Sequence, residues 1–227
     1  MMRPPATRRI KMTPTGYVFD AYGTLFDVHA AMRAHARALG DRWEAVSATW
    51  RTKQLEYSWV RGLMGSYSDF WRLTEEALDY ALALHGVGND ALRSALLDAY
   101  WKLDAYADVS PTLERLRRDG ARTAILSNGS PEMVTAAIRS AKLDTLIDDT
   151  FSVDAVKVFK TAPETYRMVT DAWDAKPKKI VFVSSNRWDI AGACKFGFHP
   201  VWINRSGAPD EYAKYAPKRV IGSLDEL

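Results

Sequence analysis

Tyr17-Val18-Phe19-Asp20-Ala21-Tyr22-Gly23-Thr24-Leu25-Phe26-Asp27-Val28 is the stretch on which the reading of the fold turns. A short apolar run ends in an acid, and a Gly23-Thr24 turn follows at once. That is how a buried strand of a parallel sheet delivers a polar side chain to its carboxyl end. The residues before it, Met1 to Met12, are basic and lack an apolar run. Arg8 and Arg9 resemble part of an export signal, but Tyr17-Val18-Phe19 reads better as a first core strand than as a cleavable segment. Residues 1–16 are therefore expected to form a flexible arm, and a cytoplasmic location is the default.

Downstream of Val28 the pattern changes. Val46, Trp50, Leu55, Trp59 and Leu63 recur at helical intervals, as do Phe70, Leu73, Ala77, Ala81 and Leu84. Asn89 stands where it would cap a further helix carrying Leu92, Leu96, Ala99 and Leu103. From about Val28 to Leu103 no segment reads as a strand, so 30–103 is predicted to be an inserted helical unit, a cap on the core.

After Asp108 strands and helices alternate again. Ser110-Pro111 carries the signature of a helix start and Gly120 that of its stop. Thr123 to Leu126 is a strand, Ser130-Pro131 opens the next helix, and Thr150 to Val153 is a short strand. Pro163 opens a helix through Trp173, and Ile180 to Val183 is apolar throughout, as a strand buried on both faces tends to be. Arg187 to Phe196 reads as helix, Pro200 to Ile203 as strand, and Val220-Ile221 as one more. Strands separated by helices imply right-handed crossovers. The predicted fold is α/β, a Rossmann-like doubly wound parallel sheet formed by 17–29 and 104–227, with the cap inserted between them.

Composition narrows the function. The chain has 227 residues, 47% hydrophobic and 26% charged, enough for a folded domain with a real core. Thirty-one Lys and Arg against 28 Asp and Glu give a formal charge of +3, which speaks against a nucleic-acid partner or an anionic membrane surface. A single cysteine, Cys194, excludes an internal disulfide framework and reads as a small buried residue within a helix. His29, His35, His85 and His199 show no ligand-like spacing, and no stretch is long and apolar enough for a membrane span.

In an open parallel sheet the site lies outside the carboxyl ends of the strands. Those ends carry Asp20, Ser127-Asn128, then Lys160 past a strand and loop, and Ser184-Ser185-Asn186 with Asp189. An acid, hydroxyls, amides, a lysine and a second acid would share one crevice.

With these residues assembled, the chain resembles the haloacid dehalogenase superfamily and, more narrowly, its L-2-haloacid dehalogenases. The opening motif Phe19 to Val28, Leu126-Ser127-Asn128-Gly129, Lys160, and Phe182 to Asp189 stand in family order. Trp50-Arg51-Thr52-Lys53-Gln54-Leu55-Glu56-Tyr57 is similar to the family's cap helix. One departure is Lys160-Thr161, where the family commonly has Lys-Pro; it should alter the turn and keep the ammonium.

The resemblance implies hydrolysis of a 2-haloacid to a 2-hydroxyacid and halide, with Asp20 attacking C2 opposite the halide and forming an ester that water then cleaves. It implies Lys160 and Asp189 as partners of Asp20, oriented by Thr24, Ser184 and Asn186. Ser127, Asn128 and the amides after Asp20, at Ala21 and Tyr22, would cradle the substrate carboxylate. Arg51 would face the halide, and Tyr22, Leu55, Phe70 and Trp188 would wall the carbon–halogen bond. Tyr166 is either a supporting group behind the site or a plain core residue. A homodimer is also implied, with no cofactor and no metal.

The rival reading is a phosphatase or phosphonatase of the same superfamily. It wants a second acid where Tyr22 stands, and a phenol with an ordinary pKa of about 10 is a poor general acid at neutral pH. It also wants Mg²⁺, whose sites favour carboxylates, whereas Ser184, Ser185 and Asn186 precede the single Asp189. A non-catalytic ligand-binding relative is a third reading, opposed by Asp20, Lys160 and Asp189 occurring together.

Overall fold

The computed structural model describes residues 14–227. The expected arm, residues 1–16, falls mostly outside them, and by Gly16 the chain is already in the sheet. The chain runs β1 (Gly16–Phe19), α1 (Ala30–Ala34), α2 (Ala36–Leu39), α3 (Trp43–Leu63), α4 (Phe70–Leu84) and α5 (Asp90–Tyr100). It continues through α6 (Val109–Arg118), β2 (Arg122–Ser127), α7 (Pro131–Ser140), β3 (Asp149–Ser152), α8 (Pro163–Trp173), β4 (Ile180–Ser184), α9 (Arg187–Phe196), β5 (His199–Ile203) and β6 (Arg219–Ile221).

The six strands pair in parallel in the order β3-β2-β1-β4-β5-β6. This is the doubly wound α/β arrangement, and the strand order reverses direction at β1, between β2 and β4. Strand residues alternate between two cores because successive side chains point to opposite faces. Phe19, Ile125, Val181 and Val183 pack with the helical insertion, α6 and α7. Val18, Ala124, Leu126, Ile180 and Phe182 pack against Tyr166, Val169 and Ile190 of α8 and α9.

The insertion leaves and rejoins the core at one place. Asp27 donates its amide to the Asp104 carbonyl, and Tyr106 donates to that of Leu25. Five helices lie between these bonds, so α3 to α5 stand over the carboxyl end of β1.

Local signals explain most boundaries. Asn89 caps α5 through its side-chain oxygen on the Leu92 amide, and Ser130 caps α7 on Met133, with Pro131 next. Three expectations need correction. α6 begins at Val109, not at Ser110-Pro111, because Pro111 is tolerated within a first turn that needs no amide donor. α3 buries Val46, Ser47, Trp50, Gln54 and Ser58, which leaves Trp59 40% and Leu63 90% exposed at the end of the apolar stripe. The polar Gln54 faces inward because it finds Thr74 and Tyr100 there, while Ser58 donates to the Leu55 carbonyl of its own helix. Cys194 lies in α9 but is only half-buried, its thiol near the Ala216 carbonyl.

Candidate active site

β1 delivers Asp20 to the point where the strand order reverses, and the neighbouring strands surround it with donors. The Asp20 amide donates to Val183, so the residue is anchored to β4 as it leaves the sheet. Its Oδ2 accepts from Thr24 Oγ1 at 3.0 Å, Asn186 Nδ2 at 2.8 Å and Ser184 Oγ at 3.4 Å. Its Oδ1 accepts from Lys160 Nζ at 2.9 Å.

Lys160 is the bridge of the site. Its ammonium also donates to Asp189 Oδ2 at 2.8 Å, and neither its side chain nor that of Asp189 is exposed to solvent. The Lys160–Thr161 bond is cis, and the ammonium still reaches both acids. The backbone amide of Lys160 donates to Asn128 Oδ1 at 3.0 Å, which ties the lysine loop to the end of β2. The Tyr166 hydroxyl donates to Asp189 Oδ1 at 2.7 Å, so both Asp189 oxygens are engaged.

The electrostatics follow from burial. Desolvation pushes the Asp189 carboxyl up to about 6, against the pull of Lys160. Desolvation would lower Lys160, but the Asp189 and Asp20 charges outweigh it and the ammonium is raised. Burial likewise holds the Tyr22 phenol well above its ordinary range, which keeps it neutral.

The remaining site residues divide by position. The amides of Ala21 and Tyr22 donate to no protein acceptor among the described residues, and the Ala21 carbonyl closes the turn with Thr24, Leu25 and Phe26. Ser127 Oγ accepts from the Gly129 amide at 3.0 Å. A Cβ at Gly129 would come within 2.8 Å of the Tyr22 ring, so glycine is required for that ring to lie over the turn. Phe70 is stacked on Tyr22, with centroids 6.5 Å apart. Arg51 reaches the Tyr22 carbonyl and Asn186 Oδ1, both at 3.5 Å, from α3.

Leu55 is half-buried. Trp188 is also half-buried; it meets Trp59 edge-on at 5.5 Å and shares a cavity of about 420 Å³ with Tyr22, Arg51 and Asn186.

Four contributors escaped the reading of the sequence. Gly192 of α9 leaves room for the Tyr166 hydroxyl, which a Cβ would approach to 2.4 Å. A glycine inside a helix costs about 1 kcal/mol relative to alanine, and that cost was the available signal. Arg205 grips Asp108 with two nitrogens and the Thr24 carbonyl with one of them. Gln54 and Tyr100 form a buried pair beside Tyr22; neither residue type signals such pairing in sequence.

Comparison with known proteins sets this geometry in context. Residues 14–197 match the family model described as haloacid dehalogenase-like hydrolase. (S)-2-haloacid dehalogenase 1 of Pseudomonas sp. (strain CBS-3) is 50% identical over 212 residues, covering 92% of this chain and 93% of that protein. A dehalogenase crystal structure with an intermediate complex superposes with a TM-score of 0.94 at 45% identity, covering 96% of this chain and 97% of that one. The L-2-haloacid dehalogenase of Xanthobacter autotrophicus with chloropropionic acid covalently bound gives a TM-score of 0.86 at 38% identity, covering 94% and 96%.

Proposed function

The chain belongs to the haloacid dehalogenase-like hydrolases, and from that premise we infer that it converts short (S)-2-haloacids and water to (R)-2-hydroxyacids and halide. The reaction runs through an ester on Asp20. A carboxylate oxygen attacks C2 from the side opposite the halogen, the C–X bond breaks with its electron pair leaving as halide, and the configuration inverts. Water then attacks the Asp20 ester carbon, loses a proton toward Asp189, and the 2-hydroxyacid leaves with a proton in its place.

The observation that carries this assignment is the buried Asp20–Lys160–Asp189 bridge beside a neutral Tyr22. Lys160 holds the nucleophilic carboxylate in a buried crevice, and an Asp189 carboxyl near 6 suits a base that must be ionised at neutral pH. Thr24, Asn186 and Ser184 donate to Asp20 and would carry the oxyanion of ester hydrolysis. The free amides of Ala21 and Tyr22, with Ser127 and Asn128, are suited to the substrate carboxylate. Arg51 is assigned to the departing halide, with Tyr22, Leu55, Phe70 and Trp188 as its apolar surroundings.

Metal independence belongs to the same proposal. A divalent cation does not fit the donor set. Lys160 holds one oxygen of each acid, Thr24 and Asn186 donate to the other Asp20 oxygen and Tyr166 to the other Asp189 oxygen. No cluster of three acid, histidine or cysteine ligands lies among the described residues. We further take 30–103 to act as the cap, and the protein to work as a cytoplasmic homodimer. The exposed Trp59, Val60, Leu63 and Met64 at the end of α3 support a self-association surface, which light scattering would check.

Halide release from the two enantiomers of 2-chloropropionate, with and without EDTA, tests the reading. Release from the (S)-form, indifferent to chelator, is expected; a strict Mg²⁺ requirement with phosphate-ester turnover would replace it by the phosphatase reading. A single turnover in H₂¹⁸O with excess enzyme should put label on Asp20. Label in the first hydroxyacid would mean that water attacks C2.

A further inference from the structure

The helical insertion contains a buried polar relay whose direction can be worked out proton by proton. Thr74 Oγ1 donates its single proton to the Phe70 carbonyl at 2.8 Å. Toward Gln54, 3.0 Å away, Thr74 can therefore only accept, so the Gln54 atom facing it is the amide nitrogen. The same nitrogen lies 3.1 Å from Tyr100 Oη and spends its second proton there. The Tyr100 oxygen accepts, and its own proton is left over.

That proton has no protein acceptor among the described residues, although Tyr100 is only 4% exposed. A buried donor without a partner is uncommon and calls for an explanation. The ring of Tyr100 stacks on Tyr22, with centroids 5.7 Å apart at 22°. Arg51 and Asp20 are among the charges that bear on its hydroxyl, after burial itself. Arg51 and Gln54 lie one helical turn apart on α3, so the residue that orients Tyr100 and the guanidinium share a face.

We propose that Tyr100 is a catalytic residue, its O–H held by the Thr74–Gln54 relay so that it donates to the leaving halide beside Arg51. This rests on the reading that the site expels halide next to Arg51. A neutral hydroxyl gives little to a C–X bond and more to the halide as charge builds, so its contribution falls on the transition state. A small, charge-dense chloride gains more from such a donor than a larger, softer bromide does.

The test is Tyr100→Phe in the full chain, with alkylation rates of (S)-2-chloropropionate and (S)-2-bromopropionate measured in single turnovers. The chloro rate should fall about tenfold or more, a neutral donor beside Arg51 giving less than the roughly 10² to 10³ lost with a principal transition-state donor. The bromo rate should fall less, so the chloro-to-bromo ratio drops several-fold while the ester-hydrolysis rate holds. Gln54→Leu keeps the hydroxyl but releases its orientation, and it should shift the ratio the same way by a smaller factor. Equal losses for both halides, or a common rise in KM, would overturn the proposal and make Tyr100 a packing or carboxylate-binding residue.

Chloride binding, read by ³⁵Cl line broadening, separates this from failure of the reaction assignment. Weaker chloride binding in Tyr100→Phe than in wild type is expected even if neither haloacid were turned over. Unchanged chloride binding in the variant would count against the hydroxyl as a halide donor.

Discussion

Lys160 is a fully buried ammonium held by two carboxylates, so removing it exposes their mutual repulsion as well as their desolvation. Lys160→Ala should lose activity, and what survives should show an acid limb displaced upward. Asp189 already sits near 6 with the lysine in place, and without that pull its carboxyl protonates at higher pH. Tyr166→Phe removes the other donor to Asp189 and should move the limb in the same direction by less. Wild-type kcat across pH, falling below about 6, is the reference for both. An unshifted profile in Lys160→Ala would detach the lysine from the chemistry. Arg51→Ala should cost about 10² to 10³ in kcat, more for chloro than for iodo substrates, with lysine rescuing in part. A rise in KM alone would make Arg51 an anchor for the substrate carboxylate.

At the scale of elements, α9 shows how a helix can be shaped to serve a side chain on its neighbour. Gly192 faces α8 and gives the Tyr166 hydroxyl access to Asp189. In an exposed helix, Gly192→Ala would stabilise by up to about 1 kcal/mol. Here it should lower the melting temperature and the activity together, because the added methyl occupies the hydroxyl's place and meets Thr161 at 2.7 Å. Calorimetry beside kcat checks this, and a stabilised, fully active variant would show that α8 shifts freely. In α3 the apolar periodicity locates the helix but not its rotation. The partners of Gln54 on α4 and α5 turn that side inward and leave Trp59 and Leu63 outward.

Across the molecule, Asp108 and Arg205 clamp distant parts of the chain beneath the site. Asp108 accepts from Arg205, the Ser223 hydroxyl and the Leu224 amide, while Arg205 also holds the Thr24 carbonyl. Burial alone would raise the Asp108 carboxyl, but these donors bring it below the usual range. Asp108→Asn should therefore destabilise by about 2 kcal/mol near neutral pH. A carboxyl whose folded pKa is depressed stabilises above its unfolded pKa and loses that effect as pH falls through the folded value. The gap between wild type and variant should stay constant down to about pH 4 and close below it. Denaturant titrations at several pH values measure it; a gap that widens in acid would contradict the assignment.

Much of this was legible without coordinates because it is encoded locally. Asn89, Ser130-Pro131 and Pro163 announce helix starts by satisfying or not needing the first amides of a helix. Apolar runs such as Ile180 to Val183 mark buried strands, and the strand-end rule then draws Asp20, Ser127, Asn128 and Ser184 to one crevice. Tertiary structure alone decided which way α3 faces, why position 192 is glycine, that Arg205 reaches Thr24 and Asp108, and that Tyr100 accepts from Gln54. These depend on pairings between distant segments, and an amide or hydroxyl has the same local preferences whatever partner it finds. The direction of each hydrogen bond follows only when every neighbouring donor and acceptor has been accounted for.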